Sequence, residues 1–250
     1  MITRVNDLPT NEFCDCAGVK IGALYKAYGG NYDFCRFFVQ TDSSIRPLAI
    51  ISTYEGAVTV SSVNAYGETA SFELSEFLNA LGFTELISRV PVDLKMPHEI
   101  IYEVHAENSR YNFNSCQHLA FHVANRHKAL TEIYSIFQNA DSPELSLPPF
   151  EQWYADSSHR MRHNAAVGFC CKSGAAFAHL DGRNAYLAGL AVLPQYRGRG
   201  TAKSILTELS GSGQYQRIFA FCREPLLKFY RSAGFSVGSA YYLYRNRQIF

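Results

Sequence analysis

The chain has 250 residues, 47% of them hydrophobic, and a formal net charge of +1. That length holds one large domain or two small ones, with enough apolar surface for substantial cores. The near-neutral charge excludes nucleic-acid binding through bulk charge, and no apolar run approaches a membrane span.

The N-terminus, Met1-Ile2-Thr3-Arg4-Val5-Asn6-Asp7, has no apolar signal core, so the cytoplasm is the expected compartment. The seven cysteines are an odd number and suggest reduced thiols rather than a disulfide framework.

In chain order, strand-like runs come first at Phe34–Val39, Leu48–Thr53 and Val58–Val63. Leu74, Phe77, Leu78 and Leu81 then form a helical stripe that stops at Gly82-Phe83. Leu119–Val123 reads as a strand. Leu130, Ile133, Tyr134 and Phe137 mark an amphipathic helix over Ala129–Asn139. Asp141–Pro149 is a proline-rich loop, and Glu151–His163 a second helix carrying Trp153 and Tyr154. Two strands, Ala165–Cys171 and Ala175–Leu180, turn at Lys172-Ser173-Gly174, and Asp181-Gly182 starts the next turn.

The apolar run Ala185–Leu193 ends at Pro194. It is followed by Gln195-Tyr196-Arg197-Gly198-Arg199-Gly200-Thr201-Ala202. Ala202, Ile205, Leu206 and Leu209 repeat at helical spacing until Gly211 and Gly213. Arg217–Cys222 is another buried strand. Pro225 opens a helix that closes at Gly234-Phe235, and Ala240–Tyr244 is the last strand.

Strand, glycine-rich turn and helix in succession make an anion site. Glycines let consecutive N–H groups face one point, and the helix start adds unpaired donors and a positive dipole end. Arg197, Arg199 and Lys203 add charge, so a phosphate or pyrophosphate is the natural guest. There is no Gly-Lys-Ser/Thr ending and no three-glycine dinucleotide fingerprint.

Metal chemistry has little support. Cys14 and Cys16 are too close for a Cys-x-x-Cys knuckle, and packing explains Cys170-Cys171. His118/His122 and His159/His163 have i,i+4 spacing but lack the adjacent Glu of the helical zinc-protease motif. No metal is expected.

The segment Gln195-x-x-Gly198-x-Gly200 resembles the signature of the GNAT acetyltransferase superfamily. Phe229-Tyr230-Arg231-Ser232-Ala233-Gly234-Phe235 resembles that family's later helix. The resemblance covers roughly residues 116–245 and implies the GNAT fold, an α/β (α+β) mixed central sheet flanked by helices. It also implies acetyl-CoA as cosubstrate. Leu190, Ala191, Val192, Gln195, Tyr196, Arg197, Gly198, Arg199, Gly200, Thr201, Ala202 and Tyr230 would line its site, with Tyr230 as the acid that protonates the departing thiolate. Where the family often has Asn and Ala ahead of that tyrosine, this chain has Arg223 and Leu226.

Phe77–Phe83 shares a frame with Phe229–Phe235, with Leu78 in the place of Tyr230. This suggests a tandem arrangement: residues 1–112 as a degenerate GNAT-like domain without a cofactor loop, and 113–250 as the acetyltransferase domain. Two helices that merely share a glycine stop are the alternative.

Acetyl transfer to an amine needs three things. A lysine-like amine has a pKa near 10.4, so about one in a thousand is neutral at pH 7 and a base must help. The thioester oxygen needs a pre-aimed donor, for which the resemblance implies a backbone N–H of Gly189-Leu190-Ala191-Val192, with Gly189 permitting a bulge. The thiolate needs a proton. Glu151, Asp156, His159 and His163 are candidates for the base, and the sequence selects none of them.

The expected function is an acetyl-CoA-dependent N-acetyltransferase acting on a primary amine of a small molecule or a protein. A non-catalytic coenzyme A-binding sensor or structural module is the rival. No nucleic acid and no membrane are expected as partners.

Overall fold

The computed structural model describes residues 1–9, 12–30, 32–63, 66–107, 126–142, 145–182, 184–211 and 215–246. The expected strand Leu119–Val123, the His118/His122 pair and the 112/113 boundary lie outside them.

The chain forms two compact units. The first comprises residues 1–104, 221–228 and 237–250, and the second 105–220 and 229–236. The last strand is therefore part of the first unit, although the sequence order places it with the C-terminal half.

The first unit contains β1 (Ile2–Arg4), α1 (Cys16–Tyr28), β2 (Cys35–Thr41), β3 (Pro47–Tyr54), β4 (Ala57–Ser62), α2 (Glu68–Leu81) and β5 (Glu85–Ser88). It also takes β6 (His98–Glu107) up to Val104. Its strands run β1-β2-β3-β4-β5-β11-β6, where β11 (Ser236–Arg245) arrives from the end of the chain. Tyr242, Leu243, Tyr244 and Arg245 pair antiparallel with Ser88, Ile87, Leu86 and Glu85.

Alternation along the strands supplies two cores. Phe37, Val39 and Ile50 pack with Ile21 and Leu24 of α1. Phe38, Ile51, Val58, Val60 and Leu86 pack with Leu74 and Leu78 of α2. Both sheet faces are covered, which is why these strands read as continuous apolar runs.

The second unit contains α3 (Arg126–Asn139), α4 (Phe150–Arg162), β7 (Ala166–Cys171), β8 (Gly174–Asp181), β9 (Asn184–Val192), α5 (Thr201–Gly211) and most of β10 (Arg217–Cys222) and α6 (Leu227–Ser232). Its sheet runs β10-β9-β8-β7, with β7, β8 and β9 antiparallel and β10 parallel to β9. Leu130, Ile133 and Phe137 of α3 meet Ala166, Cys170, Phe177 and Ala191 on one face. Ile205, Leu206 and Leu209 of α5 are buried.

The first unit repeats this plan. Strands β2, β3 and β4 form an antiparallel meander, α2 crosses over, and β5 runs parallel to β4. The repeat changes one expectation. Helix α2 joins the parallel pair β4/β5 as α5 joins β9/β10, so α2 corresponds to the glycine-loop helix and not to the helix of Tyr230. Leu78 does not stand where Tyr230 stands. What the two heptapeptides share is a helix stop: Gly82 and Gly234 both have positive φ, +70° and +87°.

Candidate active site

Strand β9 and the turn after it carry most of the site. Its pairing with β10 covers Asn184, Ala185 and Tyr186 against Arg217, Ile218 and Phe219. Beyond Tyr186, β9 continues to Val192 without a described parallel partner, so the two strands splay.

Within this stretch the antiparallel register with β8 slips: Phe177 pairs with Gly189 but Ala178 with Leu187. Ala188 is the extra residue of a β-bulge and is exposed. A bulge disturbs the ladder and re-aims backbone groups. Gly189 lies beside it for a packing reason. A Cβ there would stand 2.9 Å from the Phe137 ring, and no positive φ is involved.

After β9, Pro194–Tyr196 form a 3-10 turn. The amides of Tyr196 and Arg197 donate to Leu193 O (2.9 Å) and Pro194 O (3.2 Å) inside it. The amides of Gly198, Arg199 and Gly200 meet no backbone carbonyl among the described residues. Those of Thr201, Ala202 and Lys203 form the first turn of α5, ahead of its intrahelical bonds.

Gly198 and Gly200 have φ of +74° and +82°, which L side chains rarely adopt. A Cβ at either would meet nothing within 4 Å, so the space over the loop is open. An anion fits this set of donors.

The loop's cations divide. Arg197 folds back: Nε donates to Val192 O (3.2 Å) and Nη2 to Ala140 O and Asp141 O. It anchors the turn to the segment after α3. Arg199 and Lys203 are exposed. Gln195 is exposed, and Leu190 and Val192 are half-buried on the β9 edge, with Ala191 buried.

Tyr230 is 6% exposed, with edge-to-face ring contacts to Phe229 (5.1 Å) and Phe235 (5.2 Å). The helix end explains its sequence pattern. Phe235 N donates to Tyr230 O and Gly234 N to Arg231 O, both at 3.0 Å. This is a Schellman motif, whose typical apolar contact between the ends is the Tyr230–Phe235 pair. Arg223 pairs with Glu99 (3.0 Å) in the first unit, as a surface residue would.

Of the four candidate bases, Glu151, Asp156 and His159 lie on α4 and His163 caps its C-terminus. Asp156 holds the buried Arg160 at 2.8 Å. His159 and His163 lie ring to ring, 4.4 Å between centroids. Glu151 is exposed in the first turn. Among the described residues, no group of three or more His, Cys, Asp or Glu is placed to hold a metal ion, and no helix is long and apolar enough to cross a membrane.

The corresponding place in the first unit differs. The turn before α2 has no glycine pair, and Glu68 in the first helical turn opposes an anion. Just past the last β4–β5 pair, Val60 and Ser88, Arg89 crosses between the strands. Its Nη1 donates to Ser62 O (3.1 Å) and pairs with Asp15 Oδ2 (3.1 Å). Asp15 also caps α1 through Gly18 N (2.7 Å) and accepts from Ser61 Oγ (2.7 Å). In the first unit a guanidinium therefore fills the place just past the end of the β4–β5 pairing.

A family profile for the acetyltransferase (GNAT) domain matches residues 153–237, which include the bulge, the glycine turn and Tyr230. Solved structures are similar over nearly the whole chain. A GCN5-related N-acetyltransferase from Sphaerobacter thermophilus has a TM-score of 0.58 at 13% identity, covering 98% of this chain and 95% of its own. One from Kribbella flavida has a TM-score of 0.59 at 10% identity, covering 94% and 96%. A tandem GNAT protein from the clavulanic acid biosynthesis pathway has 0.52 at 9% identity, covering 98% of both chains. No curated protein matches the sequence.

The fold and the matched segment define a GNAT-type acetyltransferase architecture. Residues 153–237 match the GNAT acetyltransferase domain, and the fold of the chain is similar to that of GNAT proteins over nearly its whole length.

Proposed function

We propose that the chain is an acetyl-CoA-dependent N-acetyltransferase acting on a primary amine of a small molecule or a protein. Residues 113–250 carry the chemistry, and residues 1–112 form the degenerate domain that binds no cofactor. The observation that carries this reading is the unpaired, bulged edge of β9 running straight into a turn of unpaired amides.

Each part has one task. The amides from Gly198 to Ala202 take the pyrophosphate at the start of α5, with Arg199 and Lys203 beside it. The β9 edge around Leu190, Ala191 and Val192 offers strand-like hydrogen bonds to the pantetheine amides. The bulge aims a backbone N–H at the thioester oxygen, where negative charge develops. Tyr230 supplies the proton of its phenol to the leaving thiolate.

The test is calorimetry with coenzyme A. Wild type is expected to bind one equivalent per chain. Gly200→Asp places a side chain and a negative charge beside the pyrophosphate and should abolish binding. Equal affinity in this variant refutes the loop assignment. Two equivalents per chain refute the degenerate first domain. Binding without free thiol release over an amine panel favours the sensor reading.

A further inference from the structure

Resting on the acetyltransferase reading, we infer that His179 of β8 is the proton acceptor for the amine, one strand behind β9 in the last row before β9 and β10 part. Two registers and a ring contact place it there. His179 pairs with Tyr186, and Tyr186 with Phe219, in the last row before the strands part. His179 and Tyr186 face the same side, with ring centroids 6.1 Å apart. Both are half-buried, so the imidazole is held by neighbours yet reached by water.

Ala188, the bulged residue, follows Tyr186 by two positions, about 7 Å along the strand. An acyl carbon held at the bulge is thus within one or two waters of the imidazole. Histidine is the side chain whose charge change falls in the physiological pH range, so an imidazole is chemically suited to take a proton there.

The surrounding charges are compatible with this role. The same face carries Asp181 of β8 in the row with Asn184 and Arg217. Arg217 is paired with Glu107 at 3.4 Å. His105 lies on the far side of Phe219, at 5.8 Å between centroids. Helix α4 packs on Phe177 through Trp153 and bears Glu151, Asp156, His159, Arg160 and Arg162, with His163 at its C-cap. The Asp156–Arg160 pair and the stacked His159/His163 rings are engaged with each other.

The step balances as follows. The ammonium yields one proton through water to His179, and the neutral amine forms the N–C bond. On collapse the C–S bond breaks and the sulfur takes a proton from Tyr230. The second proton leaving the new amide nitrogen restores Tyr230 through solvent. His179 releases its proton to solvent, so one proton is liberated per turnover.

The experiment uses the full chain, acetyl-CoA, and spermidine, glucosamine, 2-phenylethylamine and a lysine peptide as acceptors. Wild-type kcat should show an acid limb near the imidazole range. His179→Gln should lower kcat by roughly 10²–10⁴-fold and remove that limb, with coenzyme A affinity unchanged. Tyr186→Phe keeps the ring beside His179 and should retain the limb.

A wild-type protein that transfers acetyl while His179→Gln keeps its rate and limb overturns this assignment alone. Coenzyme A binding with no transfer to any of the four amines overturns the enzymatic reading and this assignment with it. If His179→Gln does not fold, the NMR titration of the wild-type imidazole must coincide with the acid limb. A mismatch overturns the assignment.

Discussion

Removing the Arg89 guanidinium, as in Arg89→Met, tests whether the first unit's closed position is held by charge. Arg89 and Asp15 are 24% and 11% exposed and 3.1 Å apart. At an effective dielectric of 20 their attraction is about 5 kcal/mol before desolvation. Breaking a buried pair typically costs 3–5 kcal/mol, because the remaining charge is stranded. The exposed quarter of Arg89 reduces this, and the retained Gly18 and Ser61 donors still solvate Asp15. The expected loss is roughly 2–3 kcal/mol, read as a lower urea midpoint at unchanged slope. Asp15→Asn added to Arg89→Met should recover part of it, since no unpaired charge remains. A midpoint within about 0.5 kcal/mol of wild type, or strict additivity in the double variant, refutes the account.

Three further outcomes follow from the site and its supports. Tyr230→Phe keeps both ring contacts, so coenzyme A affinity should hold while turnover falls roughly 10²–10⁴-fold where chemistry limits. Retained turnover removes Tyr230 from the mechanism. Gly189→Ala drives a methyl into Phe137 and should cost about 1–3 kcal/mol by thermal or urea unfolding, with Phe137→Leu relieving part of it. Alkylation of the native protein near pH 8, followed by mass spectrometry, should mark exposed Cys14 ahead of Cys16 and Cys170. Burial, then Glu132, pushes the Cys170 thiol up to about 11. Burial, with Glu103 and Asp15 nearby, pushes Cys16 well above its ordinary value. Equal labelling would contradict these environments.

The second unit was largely legible from sequence because its signals are local. Leu130, Ile133 and Phe137 cover one face of α3, and Lys172-Ser173 joins β7 to β8 directly. The Gly198/Gly200 turn followed from backbone chemistry. In the first unit, α1 leaves no periodic signal in the sequence. Gly18 and Gly22 sit in its interior against helix propensity, and most of its residues are buried, so no amphipathic stripe shows. Gly18 is needed there because a Cβ would run into the Phe13 backbone. The heptapeptide echo misled on correspondence because a glycine stop serves any helix, whereas crossover topology distinguishes them. His179 was invisible as a base because its significance lies in the register with Tyr186 and Phe219, a pairing no single segment announces.

The strand that β11 lends to the first unit has a consequence for synthesis on the ribosome. Tyr244 donates to Val92 O and accepts from Val92 N, across 152 positions of sequence. Its neighbours pair with β5. The first unit therefore emerges early but cannot finish its sheet until the whole second unit has been translated. Until then the edge of β5 is left waiting, an arrangement that favours slow, long-range closure over domain-by-domain folding. A gene cut between the two repeats would separate the first from a strand it requires, so the halves are inseparable as expression units even though their folds repeat.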